Sequence, residues 1–306
     1  MLCLTLPIYS FMPDQIFYDN HSDEFASLLS DPHRRSISLR WLDSSNLDTY
    51  RHLRIKEKFI PLFQPDYSLL TIGDGRYGSD AIYFKDYCGT VHASDLNVEL
   101  LNSAKSNGLL DNISMQNAED LSFDSDSFDV LFAKEALHHC PRPFMALYEA
   151  FRVAKFAVAF VEPFDQSTSF LFKTRLFLKK MLKFGNRSGY NFEKVGNFVY
   201  TFAPADFEKF MLGMHSRYLA FSGINDYYHP SLVHCFKNGT NPSSLIGRLR
   251  FNFYLNLTRV LVFLRLQRPS LLGVILFKER PGSSLVSMLR SKGWVVKELP
   301  SNPYLG

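Results

Sequence analysis

Between Ser68 and Pro163 short apolar runs alternate with amphipathic ones, and this alternation limits the fold more than any other feature of the chain. "SLLTI", "TVHAS", "ISMQ", "FDVLFA" and "FAVAFVEP" are short and bounded by turn residues, as buried strands are. "DAIYFKDY", "VELLNSAKSN" and "PFMALYEAFRVA" lie between them and carry apolar residues at helical spacing. Strand, helix, strand at this interval gives parallel crossover units, so an α/β sheet covered on both faces is expected.

Outside that block the pattern is looser. Residues 1–46 show turn signals and no strong period, while Asn46–Phe63 reads as an amphipathic helix that Pro61 ends or bends. After Phe164 the alternation breaks into helical stretches, interrupted by a helix "PADFEKFMLG" and a strand "RYLAF". "LLGVILFKE" is a late strand, and the tail "LVSMLRSKGWVVKEL" reads as helix, glycine stop and strand. The expected organisation is an N-terminal helical segment (1–63), a main domain (64–280) with insertions at about 164–200 and 222–268, and a C-terminal extension (281–306).

The net charge of +4 over 306 residues is mild, but its distribution is uneven. No acid lies between Gln166 and Asn191, where Lys173, Arg175, Lys179, Lys180, Lys183 and Arg187 stand. None lies between Tyr227 and Lys278, where Arg248, Arg250, Arg259, Arg265 and Arg268 stand. The stretch around Phe170, Phe177 and Phe184 reads as a basic amphipathic helix, suited to an anionic membrane surface or to capping a pocket. The stretch Arg248–Arg268 has a narrow polar stripe (Asn252, Asn256, Arg259) on an apolar cylinder, the mark of a helix that is buried or set against lipid. A single-strand nucleic-acid platform of basic and aromatic residues is not evident, and no nucleic-acid partner is expected. Cys3, Cys88, Cys140 and Cys235 are scattered, which argues against a disulfide framework or a zinc site and fits a reducing, cytoplasmic setting. The start "MLCLTLPIYSFMPDQ" lacks a basic region before its apolar run, so no signal peptide is expected.

"LLTIGDGRYGSD" places Gly73, Gly75 and Gly78 between a strand and a helix. Such a loop lets the backbone approach an anionic or nucleotide ligand at the helix N-terminus. Asp95 ends the second strand, and a carboxylate there can accept from both ribose hydroxyls. Loop and acid together indicate an adenosine ligand, either NAD or S-adenosylmethionine. The stretch Asn117–Pro143 separates the two, because a polar loop, an acidic turn and a polar strand end at this point are unusual in NAD enzymes of this type.

From about Ser68 to Asp165 the chain resembles the class I S-adenosylmethionine-dependent methyltransferases of the type 11 group. The resemblance is carried by Gly73 and Gly75, Asp95, Ala118-Glu119-Asp120-Leu121-Ser122-Phe123, Ser127-Phe128-Asp129, Glu135-Ala136-Leu137-His138-His139 and Arg152-Val153. Within the group, "IGDGRYGSDA", "KEALHHCPRP" and "FVEPFD" are similar to a branch associated with surface-polysaccharide gene clusters. The resemblance implies a Rossmann-like, mostly parallel seven-stranded sheet with helices on both faces and helical insertions after strands five and six. It implies methyl transfer from S-adenosylmethionine to a small molecule, such as a sugar or other surface-polysaccharide precursor, anionic or glycan in character. Two departures stand out: Thr71 occupies the place of an acid common in the family, and Tyr77 that of the third glycine.

The expected donor contacts are Gly73, Asp74, Gly75, Gly78, Asp95, Leu96, Asn117, Ala118, Glu119 and Lys134, with Asp74 read either as a donor contact or as a turn cap. His139, His138 and Glu135, after strand four, are the candidates for a base, and Glu162 is a candidate substrate contact. No metal ligand set is expected. The rival readings are an NAD-dependent oxidoreductase and a non-catalytic S-adenosylmethionine-binding protein.

Overall fold

The computed structural model describes residues 14–182, 190–193 and 196–304, with side chains from Tyr18 onward. Cys3 and the rest of the first thirteen residues, and Lys183, Phe184 and Arg187 of the first insertion, lie outside the described residues.

The N-terminal region, which shows no clear period, forms two helices, α1 (Asp14–Ser30) and α2 (Pro32–Arg40). Asp31 separates them by capping α2: its carboxylate accepts from the backbone N–H of His33 at 2.8 Å and of Arg34 at 3.3 Å, with Pro32 at the first helical position. Asn46 caps α3 (Leu47–Lys56), and the expected helix then tightens into a 3₁₀ turn (Glu57–Leu62) around Pro61. Helices α1 and α2 lack a strong stripe because they bury few side chains against the sheet; they instead cover the cavity described below.

The sheet has eight strands: β1 (Ser68–Ile72), β2 (Thr90–Asp95), β3 (Asn112–Met115), β4 (Phe128–Lys134), β5 (Ala154–Pro163), β6 (Tyr218–Ile224), β7 (Leu271–Phe277) and β8 (Val295–Glu298). Their order is β3-β2-β1-β4-β5-β7-β6-β8. The first five pair in parallel, β7 runs antiparallel to both β5 and β6, and β8 is antiparallel to β6. The expected mostly parallel sheet is present, with one strand more than the seven expected. The tail from Gly282 supplies that strand, preceded by α10 (Ser283–Ser291), so the C-terminal residues complete the sheet edge.

Strand side chains alternate between two cores. Leu70, Ile72, Leu131, Val158, Phe160 and Val274 pack under α6 (Pro143–Val153) and α8 (Pro204–Gly213) through Leu147, Phe151, Phe207 and Phe210. Leu69, Val130, Phe132, Ala159, Ile275 and Phe277 pack on the other face against Ile55 and Phe59, against Phe84 of α4 (Ser79–Phe84), and against Leu285 and Leu289. Because both faces are covered, β4 and β7 read as continuous apolar runs rather than alternating ones. Helix α5 (Glu99–Ser106) packs over β2 and β3. The insertions carry α7 (Phe170–Met181) and α9 (Pro242–Phe263). Among the described residues no helix is long and apolar enough to cross a membrane.

Candidate active site

The C-terminal ends of β1, β2 and β4 open onto a cavity of about 900 Å³, roofed by α1 and α2. Parallel α/β sheets bind ligands at this edge, where the strand order reverses between β1 and β4.

The glycine loop forms the floor. Gly73 has φ +72°, and a Cβ there would sit 2.5 Å from the Ala136 methyl. A Cβ on Gly75 would fall 2.6 Å from the Asp95 carboxylate, which accepts the Gly75 N–H at 2.8 Å and the Asn97 N–H at 2.9 Å. Burial raises the Asp95 pKa, and the backbone N–H groups of Asn97, Gly75 and Leu96 act against that rise. Asp95, Leu96, Asn117 and Ala118 line one end of the cavity together with Gly73 and Gly75.

Gly78 does not belong with them. It lies beneath the loop at the N-cap of α4 with φ +66°, where a Cβ would meet Leu110 at 2.3 Å and Leu101 at 3.2 Å. Its place in the glycine spacing reflects packing of α4 on α5, and it is not part of the cavity wall.

Asp74 is engaged as a cap. Its carboxylate accepts from the N–H of Asp80 at 3.1 Å, the N–H of Ala81 at 2.9 Å and the Thr71 hydroxyl at 3.0 Å. Thr71, at the place where the resemblance leads one to expect an acid, is thus bonded to Asp74. Burial, reinforced by the neighbouring Asp80 carboxylate, pushes the Asp74 pKa up to about 7.

Glu119, expected beside the base, is tied up in the wall. It accepts from the Arg142 backbone N–H, from Arg142 Nε at 2.7 Å and from the Tyr18 hydroxyl at 2.9 Å. It anchors α1 over the cavity.

The residues after β4 divide into distinct roles. Glu162 is fully buried and accepts the N–H of Ala136 at 3.1 Å and Leu137 at 2.8 Å, and Nδ1 of His138 at 2.7 Å. It therefore fixes the loop, and its oxygens do not face a substrate. Burial disfavours a charged His138, but the Glu162 charge and hydrogen bond outweigh it and raise the His138 pKa. His138 is buried with Nδ1 committed to Glu162, so it holds the loop and that nitrogen is not open to an acceptor. Burial likewise opposes charge on Glu135, yet Lys134, Arg51 and His138 draw its pKa down, so it stays ionised. Glu135 sits at φ +53°, which turns the chain sharply at the strand end.

His139 differs from these. Its Nδ1 lies 2.9 Å from the Glu193 carboxylate, its side chain is 43% exposed, and Nε2 has no hydrogen-bond partner among the described residues. A carboxylate at Nδ1 fixes the tautomer with Nε2 free to accept a proton. Glu193 lies far along the chain in the first insertion, and no spacing motif pointed to it. His138, His139 and Glu193 each place one ligand-capable atom within 4.8 Å of the others. Both Nδ1 atoms are hydrogen-bonded to carboxylates.

The other end of the cavity is cationic, and apart from Lys134 it is built from residues that the sequence analysis did not single out. Arg51 is buried between Asp48, at 3.1 Å, and Asp226. Lys134 is buried beside Glu135 at 3.5 Å. Arg76, inside the glycine loop, stacks on Trp41 with its guanidinium carbon 4.6 Å from the ring centroid. It has no hydrogen-bonded or ion-paired partner among the described residues. His52 packs on the other side of this cluster, 4.6 Å from Trp41 by centroids. Burial, then Lys134, Arg51, Lys56 and Arg76, hold its pKa well below the ordinary value, so it is neutral. Its Nε2 accepts from Arg51 at 3.0 Å, which leaves Nδ1–H as a buried donor without a partner.

Comparison with known proteins bears on the donor. Residues 70–160 match the family described as a methyltransferase domain, of the type 11 group. A search of curated proteins returned no match. Among solved structures the chain is similar to the YcgJ protein from Bacillus subtilis, at 18% identity over 76% of this chain and 99% of that one, TM-score 0.47. It is similar to a putative methyltransferase from Haloferax volcanii solved in complex with the Trm112 methyltransferase activator, at 12% identity over 87% and 99%, TM-score 0.46. It is also similar to a SAM-dependent methyltransferase from Archaeoglobus fulgidus, at 16% identity over 74% and 94%, TM-score 0.45. The family decides between the two adenosine ligands and sets the NAD reading aside. Residues 70–160 form an S-adenosylmethionine-dependent methyltransferase domain of the type 11 group.

Proposed function

We propose that the chain transfers a methyl group from S-adenosylmethionine to a hydroxyl or amine of a small acceptor that carries an anionic group, with a sugar or surface-polysaccharide precursor as the leading class. One observation carries this reading: a single cavity joins the Asp95–Gly75 cradle to the His139–Glu193 pair and to an unpaired Arg76. Its volume of about 900 Å³ is at the upper end for small-molecule pockets, roughly 300–1,000 Å³, and leaves room for a nucleoside donor beside a modest acceptor.

The donor fits the residues present. Gly73 and Gly75 let Ala136 and the Asp95 carboxylate close onto the loop, Asp95 offers carboxylate oxygens to a ribose, and Leu96, Asn117 and Ala118 would flank the base. S-Adenosylmethionine, when bound, supplies a methyl group on a positively charged sulfur with a neutral leaving group. Glu135, ionised in the same cavity wall, would hold the methionine portion. His139 Nε2 takes the proton from the acceptor nucleophile, while Glu193 holds the ring and stabilises the resulting imidazolium. His138 and Glu162 fix the loop that carries His139.

The cationic end supports an anionic acceptor. Arg76 offers a guanidinium stacked on Trp41, and His52 offers a buried N–H donor; both lie in the cavity wall without anionic partners. The test is labelled methyl transfer to a panel of sugar phosphates, uronates and their neutral counterparts. Preference for the charged members, lost in Arg76→Met with donor affinity retained, supports the reading. Loss of S-adenosylhomocysteine affinity in Arg76→Met, with acceptor KM unchanged, would instead assign Arg76 to the donor carboxylate and refute it.

A further inference from the structure

Helix α9 has two apolar faces, and only one is used. Ser244, Gly247, Phe251 and Leu255 are buried against the body of the protein, where Phe251 and Leu255 join Leu47, Leu232 and Cys235 in a small core. On the opposite side Ile246, Leu249, Phe253, Leu257, Val260 and Leu264 recur at three- and four-residue intervals and are 38–72% exposed. That spacing keeps all six on one line along 22 residues of helix. Phe263, beside this line, is 85% exposed.

Helix α7 repeats the design on a smaller scale. It contains no buried residue, and Phe170, Phe177 and Met181, each at least 60% exposed, share one side. The start of α7 meets the turn after α9, where the Leu171 N–H donates to the Leu266 carbonyl at 3.0 Å. Monomeric soluble proteins rarely expose apolar rows of this extent without a partner.

The charges around these rows select the partner. Lys173, Arg175, Lys180, Arg250, Arg259 and Arg265 are exposed on the two elements. No acid occurs in residues 166–192 or 227–278. A second copy seated on this face would bring cation against cation with no acid to pair them. An anionic lipid surface offers apolar depth for the stripe and phosphate charge for its flanks. Neither helix is long and apolar enough to span. We propose that α7 and α9 lie in the interface of an anionic bilayer.

The same two insertions reach the active site. Tyr254 of α9 stacks on Tyr227 at 4.7 Å, and the residues on either side, Asp226 and Tyr228, line the cavity. Phe192 and Glu193, downstream of α7, line it as well. Docking on lipid therefore acts on elements that also shape the acceptor end.

Vesicle flotation tests the proposal with the full chain. Phosphatidylcholine vesicles containing 30% phosphatidylglycerol are expected to carry the protein up, and pure phosphatidylcholine is not. Half a molar salt should release it. Leu249→Ser with Phe253→Ser should weaken partition at least about tenfold. Arg250→Gln and Arg259→Gln should each weaken it roughly fivefold. S-Adenosylhomocysteine binding, retained in all four substitutions, shows that the variants are folded. No flotation of the folded wild type on either vesicle overturns the proposal. So does a dimer in size-exclusion light scattering that Leu249→Ser with Phe253→Ser splits, since a second copy would then cover the stripe.

Discussion

Replacing Gly75 with alanine puts a methyl group where the Asp95 carboxylate stands. The added Cβ would lie 2.6 Å from Asp95 Cγ and Oδ2 and 2.7 Å from Oδ1, far inside van der Waals contact. Gly75 itself has no left-handed φ, so the backbone tolerates alanine and the clash falls on the carboxylate. Asp95 must rotate away from the Gly75 and Asn97 N–H groups, at 2.8 and 2.9 Å, that aim it into the cavity. A hydrogen bond to a charged group contributes about 1.5–3 kcal/mol, so losing one such donor contact should weaken binding roughly 10- to 150-fold. Isothermal titration with S-adenosylhomocysteine measures this directly. Gly282→Ala is the control, because no atom lies within 4 Å of its added Cβ and its φ is −61°. If Gly75→Ala binds within twofold of wild type, or Gly282→Ala loses as much affinity, the placement of the donor against Asp95 is wrong.

Other outcomes follow from the same geometry. Glu193→Gln should lower kcat on the order of 10²-fold or more while leaving donor affinity intact, because it removes the group that fixes His139; a rate within threefold of wild type would remove His139–Glu193 as the base. Glu162→Gln should chiefly lower the melting temperature, since it weakens the buried acceptor that holds the Ala136 and Leu137 N–H groups and His138 Nδ1. The Asp74 contribution to stability should fall as pH rises from about 4 to 7. The raised Asp74 pKa means the folded state holds a proton that the unfolded chain releases near 3.8, so this contribution is full below that value and lost as pH passes about 7. The raised His138 pKa has the same sign, its stabilisation being full below about 6.5 and lost above its folded value. Asp74→Asn should flatten part of this slope in thermal melts, and an unchanged slope would contradict the assignment.

The strands of the sheet were legible because burial on both faces leaves continuous apolar runs, and Gly73, Gly75 and Asp95 were legible because one crossover unit sets the ends of β1 and β2 side by side. Gly78 shows the limit of such spacing, since packing against Leu101 and Leu110 demands glycine just as a ligand would. Glu119 and Glu162 show another. Each sits where a ligand contact is expected, but partners distant in sequence, Tyr18 and Arg142 for one and the Ala136–His138 loop for the other, use its oxygens. Arg51, His52, Trp41 and Glu193 were silent for the same reason: long-range folding alone brings them to the cavity. The exposed stripe of α9 was half visible. The sequence showed an apolar cylinder, and only the packing shows which side of it is covered.

The central claim is that the cavity between Asp95 and His139 is where the methyl donor is held. Calorimetric titration of wild type and Asp95→Ala with S-adenosylhomocysteine tests it most directly. One site per chain, lost at least tenfold in Asp95→Ala and unaffected in His139→Gln, is the result this structure predicts. Binding that Asp95→Ala leaves unchanged would place the donor elsewhere on the molecule.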